Sequence, residues 1–178
     1  VNATINPDFS QVEADTGQLD VNNTFALFYP EKRPFFLEGA DYFSSPNTLV
    51  YTRNVNDPDV GLRVTGRSGA GTYGVFVARD TVTDLLIPGT YGSGLQRYDF
   101  ASNDGALRYR YDLNKEAFIG VLATVRRGDD YENQVQAVDG KWQHGAHTVI
   151  GQYIHTSTQD PGSASFDGDA YYGEYDYS

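Results

Sequence analysis

The sequence predicts an all-β fold, an antiparallel meander of hairpins that forms part of a β-barrel and follows a mostly irregular segment. From about Gly61 onward, apolar and polar residues alternate with a period of two, whereas helical periodicity is confined to one short turn after Pro34. The composition agrees, with 14 Tyr, 10 Phe and 19 Gly, since aromatic residues favour strands and glycine favours turns. We therefore divide the chain into a motif-rich pre-barrel or plug-like segment, residues 1–60, and the strands of an incomplete barrel, residues 61–178.

Seven strands are predicted from this alternation, each bounded by turn residues. They lie near residues 61–69, 72–80, 104–113, 116–127, 133–143, 147–157 and from 170 to the end. The short connections are Ala70-Gly71, Asn114-Lys115 and Gly145-Ala146, and those between them, including residues 81–103, are longer. Such alternation places the tight turns at one end of the sheet, as in outer-membrane barrels. Because such barrels normally have at least about eight strands and an even number, we expect the chain to be a fragment of a longer protein.

Two predicted strands have one apolar face and one polar face. The apolar faces carry Leu107, Tyr109, Tyr111 and Leu113 on one strand and Ala117, Ile119, Val121, Ala123 and Val125 on the next. Arg108, Arg110 and Asp112 point the other way, which suits a lipid-facing exterior and a wet interior. The strand at 133–143 is irregular because Val135 and Ala137 share a face with Asp139 and Lys141. A β-bulge there, or a different fold, would restore the alternation.

Charge and composition exclude several classes of function. The chain has 24 acidic and 13 basic residues and a net charge of −11, which repels phosphate backbones, so we expect no nucleic-acid partner. Cysteine is absent, so disulfides and thiolate chemistry are impossible, and we expect no cofactor. No apolar run is long enough for a transmembrane helix, whereas a transmembrane strand needs only about 9 to 11 residues.

The segment YPEKRPFFLEGADYF, residues 29–43, concentrates carboxylates beside basic residues and aromatic rings. In the favoured interpretation it is a structural network, because carboxylates flanked by cations are usually paired. The predicted network also includes residues before and after this segment, and its members are Asp8, Glu13, Asp15, Glu31, Arg33, Phe35, Phe36, Glu38 and Arg53. The alternative is an extracellular hydrolase acting on polysaccharide, with catalytic carboxylates drawn from Glu13, Asp15, Glu31 and Glu38.

The aromatic residues and histidines allow the same choice between structural and functional roles. Phe35 and Phe36, with nearby aromatic residues such as Phe43, form either a small hydrophobic core or a platform for sugar rings. His144 and His147 flank a two-residue turn and should face each other across a hairpin. Two ligands fall short of the three or four protein ligands that zinc normally requires, so a metal site there is only a weak alternative.

The motifs NPDFSQVEAD and FALFYPEKRPFFLEGADYF resemble those of a bacterial family known as domain of unknown function 5916, and the similarity continues through YTRNV, LRVTG and IGVLATVRR. Members of that family commonly follow a family 9 carbohydrate-binding-module-like domain. The resemblance implies a β-barrel in the outer membrane of Gram-negative bacteria, with the motif-rich segment preceding the strands. It brings no established activity.

Together these observations predict a non-enzymatic outer-membrane barrel fragment that acts in transport or as a surface scaffold. Its expected partners are outer-membrane lipid and, through an upstream domain, a glycan. The expected location is the outer membrane, and the alternative is a secreted or periplasmic protein.

Overall fold

The structure, a computed structural model, describes residues 1–5, 31–50, 52, 55, 58–81, 83–89, 92–98, 100–129, 131–160 and 165–178; within 83–98 it describes the backbone alone. The described residues form ten strands, one helical turn, α1 (Pro34–Leu37), and one 3₁₀ turn (Ala40–Phe43). The strands are β1 (Asn2–Ile5), β2 (Pro58–Ser68), β3 (Gly71–Asp80), β4 (Thr83–Gly89), β5 (Gly92–Tyr98), β6 (Ser102–Asp112), β7 (Ala117–Gly128), β8 (Tyr131–His144), β9 (His147–Gln159) and β10 (Phe166–Tyr177).

Eight of these strands form one antiparallel sheet in the order β1-β2-β3-β6-β7-β8-β9-β10. The meander follows from the tight turns, because antiparallel neighbours need only a few connecting residues. β4 and β5 pair with each other in a separate hairpin within the connection from β3 to β6. In the described part of the chain β1 and β10 are the edges, so the sheet is open. The predicted antiparallel all-β meander is confirmed.

The seven predicted strands correspond to β2, β3 and β6 to β10, and the short turn after Pro34 is α1. Two strand regions were missed by the sequence prediction. Residues 81–103, predicted to be a loop, contain the β4–β5 hairpin, because Pro88 and the flanking glycines hide the strand pattern. β1, in the segment predicted to be mostly irregular, pairs with β2, with Ala3 opposite Leu62.

The irregular alternation of β8 does not reflect a bulge. Its register with β7 and with β9 runs without a shift from Glu132 to Trp142. The mixed face is the inner face of the sheet, where Asp139 is buried and paired with Arg108. A buried ion pair, and no change of fold, accounts for a carboxylate beside Val135 and Ala137.

Residues 31–50, the covering segment, lie against the inner face of β2 and β3 and contribute apolar side chains to a small core. Phe36 packs edge-to-face on Phe76 with ring centroids 5.6 Å apart, and Ala78, Ala106 and Val55 complete the buried cluster. Gly61 provides the room for the neighbouring ring of Phe35, since a Cβ there would lie 2.9 Å from that ring. The core therefore sits between this segment and one face of the sheet.

Candidate functional site

A group of hydrogen bonds around Arg33, the Arg33 clasp, ties residues 31–33 to the backbone at residues 52 and 55. The Arg33 side chain, 5% exposed, donates from Nε and Nη2 to the two oxygens of Glu31, each at 2.8 Å. It also donates to the carbonyl oxygens of Thr52, at 2.8 Å, and of Val55. Paired bonds of this kind are the strong form of the arginine–carboxylate interaction, so the clasp fixes three separate stretches of backbone.

The Glu31 carboxylate is held in its charged form. Burial alone would raise its pKa, but hydrogen bonds from the Arg33 side chain, the Arg33 backbone N–H and the Thr52 hydroxyl outweigh that effect. With the positive charge of Arg33 they hold the pKa of Glu31 below its ordinary value of 4.5. A catalytic acid requires the opposite shift, toward neutral pH, so the environment of Glu31 is that of a structural carboxylate.

A second clasp joins the end of α1 to β2. Arg63 on the inner face of β2 is 5% exposed and donates from Nη2 to Glu38 Oε2 at 3.2 Å. Arg63 also donates to the carbonyl oxygen of Phe35, and its guanidinium carbon lies 5.4 Å from the centre of that ring. The Asn2 side chain donates to Glu38 from β1. Glu38 is therefore occupied by two donors from neighbouring strands.

A third contact reaches the far side of the sheet. The backbone N–H and the side-chain amide of Asn47 donate to Gln152 Oε1 on β9 at 3.1 and 2.8 Å. The two residues are 105 positions apart in sequence, and Gln152 is buried. Residues 31–50 are thus attached to β2 at one end and to β9 at the other.

A buried ion pair crosses three strands deeper on the inner face. Arg108 on β6 donates from Nη2 to Asp139 Oδ2 on β8 at 2.8 Å and from Nη1 to Oδ1, with side chains 2% and 0% exposed. The guanidinium passes over Gly120 of β7, where a Cβ would lie 2.7 Å from its nitrogens. Arg126 similarly pairs with Asp104, which accepts a further hydrogen bond from Ser102.

A cavity of about 220 Å³ lies between residues 31–50 and the sheet. Its described lining combines aromatic rings, small polar groups and one ion from each clasp: Glu31, Phe36, Ala40, Phe43, Ser44, Ser45, Thr48, Leu49, Val50, Thr52, Arg63 and Phe76. Glu31 is the only carboxylate among these described residues, and it is paired with Arg33. The described lining therefore lacks the two carboxylates that glycoside hydrolysis needs.

The structure brings together part of the predicted motif. Glu31, Arg33, Phe35, Phe36 and Glu38 all lie in the segment that covers the inner face. Asp8, Glu13, Asp15 and Arg53 lie outside the described residues, as do Phe28 and Tyr29. Their roles, including the catalytic alternative for Glu13 and Asp15, stay predictions.

Sequence reasoning missed the cations and amides that the sheet contributes. Arg63 lies on the inner face of β2, the Arg108–Asp139 pair joins β6 to β8 on the same face, and Gln152 is on β9. One pattern in the sequence could have indicated a buried arginine, namely Arg108 on the polar face of one strand with Gly120 on the next. It does not identify the partner, because the partner depends on strand register.

His144 and His147 lie opposite each other across the β8–β9 turn, as predicted. Each ring has an aromatic neighbour: His144 stacks on Trp142 at 5.8 Å, and His147 bonds to the Tyr175 hydroxyl at 2.8 Å. Within the residues that the structure describes, no three His, Cys, Asp or Glu side chains are grouped as a metal site would require.

The outer face of the sheet is apolar and exposed. Its exposed large side chains include Val60, Leu62, Tyr73, Val75, Val77, Leu107, Tyr109, Tyr111, Ile119, Val121, Val138, Trp142, Val149, Tyr153, Tyr171 and Tyr175. The register places these residues directly opposite one another on neighbouring strands, for example Tyr109 with Val121 and Val138 with Tyr153. They form one continuous patch, which is far more apolar surface than a soluble monomer usually exposes.

None of the helices in the described residues combines the length and the apolar character needed to cross a membrane. No curated protein and no solved structure matches the chain. Residues 1–65, which include the clasp residues Glu31, Arg33, Glu38 and Arg63, match the family described as Domain of unknown function (DUF5916).

Proposed function

We propose that the chain is part of an outer-membrane β-barrel in which β2, β3 and β6 to β10 cross the bilayer and residues 31–50 line the interior. The observation that carries this proposal is the apolar outer face, which has the same height above the tight-turn end on β3, β8 and β9. These strands have 10 to 14 residues, enough for the roughly 9 to 11 that a tilted crossing needs.

The height of the apolar band is the same on strands that are distant in the sheet. Seven residues separate the turn from the last exposed apolar residue on three strands, namely Ala70 to Val77, Gly145 to Val138 and Ala146 to Tyr153. Polar residues follow two positions later, at Arg79, Gln136 and His155. Seven residues span about 23 Å along a strand, close to the band of about 25 Å on outer-membrane barrels.

The band also runs obliquely across the strands. Gly71 on β3 and Gly140 on β8 lie in the same row of cross-strand pairs. In the β2–β3 turn, Ala70 directly precedes Gly71, whereas Gly145 of the β8–β9 turn lies five residues beyond Gly140. The centres of the β2–β3 and β8–β9 turns are four strand spacings of about 4.8 Å apart, and over that distance the turns shift by four residues, or about 13 Å. This offset corresponds to a strand tilt of roughly 35°, within the range of membrane barrels. Because the apolar boundary shifts by the same amount, it follows one plane, as the surface of a bilayer requires.

The inner face supports the same assignment. Its charges are paired, as in the buried Arg108–Asp139 pair, or lie toward the ends of strands. Lipid on the outer face and polar contacts within are the arrangement of a barrel wall. From the family resemblance we further propose a role in transport or as a surface scaffold for a glycan-recognising domain.

The test uses neighbouring residues of β9 that point to opposite faces. Val149→Cys and Ile150→Cys variants each carry the only cysteine of the chain and are labelled with an environment-sensitive fluorophore in liposomes. We expect the probe at position 149 to be quenched by nitroxide-labelled lipid and the probe at 150 to be quenched preferentially by a water-soluble quencher. Equal access of the aqueous quencher to both probes, or recovery of the chain in the soluble fraction without detergent, would refute the proposal.

A further inference from the structure

β10 presents an open hydrogen-bonding edge within the described residues. Its pairing with β9 is unbroken over all 12 residues, and no described strand lies on its other side. The backbone N–H of Ser178 donates to the carbonyl of Ala146, so even-numbered residues of β10 bond to β9. The N–H and C=O groups of Tyr171, Gly173, Tyr175 and Tyr177 therefore point away from β9, toward the open edge.

The edge lacks several of the features that normally prevent pairing, and its protection is limited to acidic side chains. Exposed edge strands are protected by lysine, proline, bulges or short length, whereas Phe166–Tyr177 has neither residue type, no register shift and 12 residues. On its outer face Tyr171, Tyr175 and Tyr177 are strongly exposed. Within the described residues this edge is open to pairing with a strand whose charges suit the acidic side chains.

The charges of β10 specify the partner further. The strand carries four acidic residues, Asp167, Asp169, Glu174 and Asp176, and no basic one. On the inner face Glu174 and Asp176 lie opposite Ile150 and Thr148 of β9, and no ion pair joins either of them to a described residue. Opposite charges directly across a ladder stabilise pairing and like charges oppose it.

We propose that β10 accepts one more strand, supplied by polypeptide outside residues 1–178, that has basic residues facing Glu174 and Asp176 and apolar residues on its outer face. The basic inner face follows from β10 alone, whereas the apolar outer face rests on the proposed function. A second copy paired through its own β10 would place acidic residues against acidic residues. A second copy paired through β1 would offer only the four uncharged residues Asn2–Ile5.

Binding of synthetic 12-residue strands to the full chain in detergent micelles tests this inference by fluorescence anisotropy. The first peptide alternates Val with Lys and Thr so that Lys faces Glu174 and Asp176; the second replaces each Lys with Glu. We expect the Lys peptide to bind at least about tenfold more tightly, because two cross-strand pairs change from attractive to repulsive. Equal binding of both peptides, or binding of neither, would overturn the proposal.

Two protein variants locate the interaction. Tyr175→Pro removes an N–H at the open edge without touching the bonds to β9, so it should abolish binding, while Tyr175→Ala should retain it. The double variant Glu174→Lys with Asp176→Lys should reverse the preference between the two peptides, which keeps the test valid even if the proline variant does not fold. Unchanged preference in the double variant would show that β10 is not the acceptor.

A third peptide separates this inference from the proposed function. It keeps Lys on the inner face and carries Thr in place of Val on the outer face. If the sheet is not a membrane wall, this peptide will bind as tightly as the Val peptide while the Lys preference persists. If the edge is not an acceptor, the Lys preference itself will be absent.

Discussion

Removing one partner of the Arg108–Asp139 pair should destabilise the sheet more than removing both. Neither side chain is more than 2% exposed, and the guanidinium and carboxylate meet through two hydrogen bonds. Asp139→Ala would leave the buried cation of Arg108 uncompensated, at a cost of about 3 to 5 kcal/mol in the free energy of unfolding. Replacing both residues with Leu should cost much less, because well-packed apolar residues often equal or exceed a buried pair.

The assay is equilibrium unfolding by urea in detergent micelles, followed by the fluorescence of the single tryptophan, Trp142, which lies on the same strand as Asp139. For a cost of 3 to 5 kcal/mol and an m value of about 2 kcal/mol/M, the midpoint of the Asp139→Ala variant should fall by roughly 2 M. Asp167→Ala, an exposed carboxylate without an ion pair among the described residues, is the control and should change the midpoint little. If Asp139→Ala behaves like that control, or if the double Leu variant loses as much as the single one, the pair is not the buried, desolvated contact described here.

Three further predictions concern the covering segment. Glu31→Gln should destabilise the fold at neutral pH but not at low pH. Because the pKa of Glu31 is lower in the folded state, the ionised carboxylate stabilises the fold above about pH 4.5, and this stabilisation is lost as the pH falls through the folded-state pKa. The wild type and the variant should therefore have the same midpoint in urea titrations below that pKa. Asn47→Ala and Gln152→Ala, combined in a double-mutant cycle, should show a coupling of about 1 kcal/mol, and simple additivity would contradict the contact. Gly61→Val should force Phe35 off the sheet and increase proteolysis of residues 31–50 in folded protein, while Gly173→Val, with open space around its Cβ, should not.

The parts of the fold that sequence predicted are those with a strong local pattern. β7 was predicted at nearly its observed bounds because five apolar residues alternate along it between clear turn signals. β4 was missed because Pro88 lies inside it, and β1 because four residues are too few to show a period. Strand existence was readable wherever alternation extended over about eight residues or more.

Only the contacts between residues close in sequence could be predicted for the candidate site. Glu31 and Arg33 are two residues apart, so their pairing follows from the sequence around them. Arg108 and Asp139 are 31 residues apart, and their meeting depends on the register of β6, β7 and β8 together with the space above Gly120. A shift of one residue in any of these strands would turn one partner to the outer face, so the pair is a consequence of tertiary structure.

Residues 31–50 span several strands of the sheet. Phe43 contacts the inner face at Gly74 of β3, and Asn47, only four residues later, bonds to Gln152 of β9. Four residues span at most about 14 Å, whereas a flat sheet would separate β3 from β9 by roughly 19 Å, four spacings of about 4.8 Å. The side chains of Phe43 and Gln152 make up the difference, so five residues of the segment bridge the inner face from β3 to β9. The segment therefore packs on the inner face of the sheet while the apolar side chains of the outer face stay exposed, and the proposed barrel wall rests on this division between the two faces.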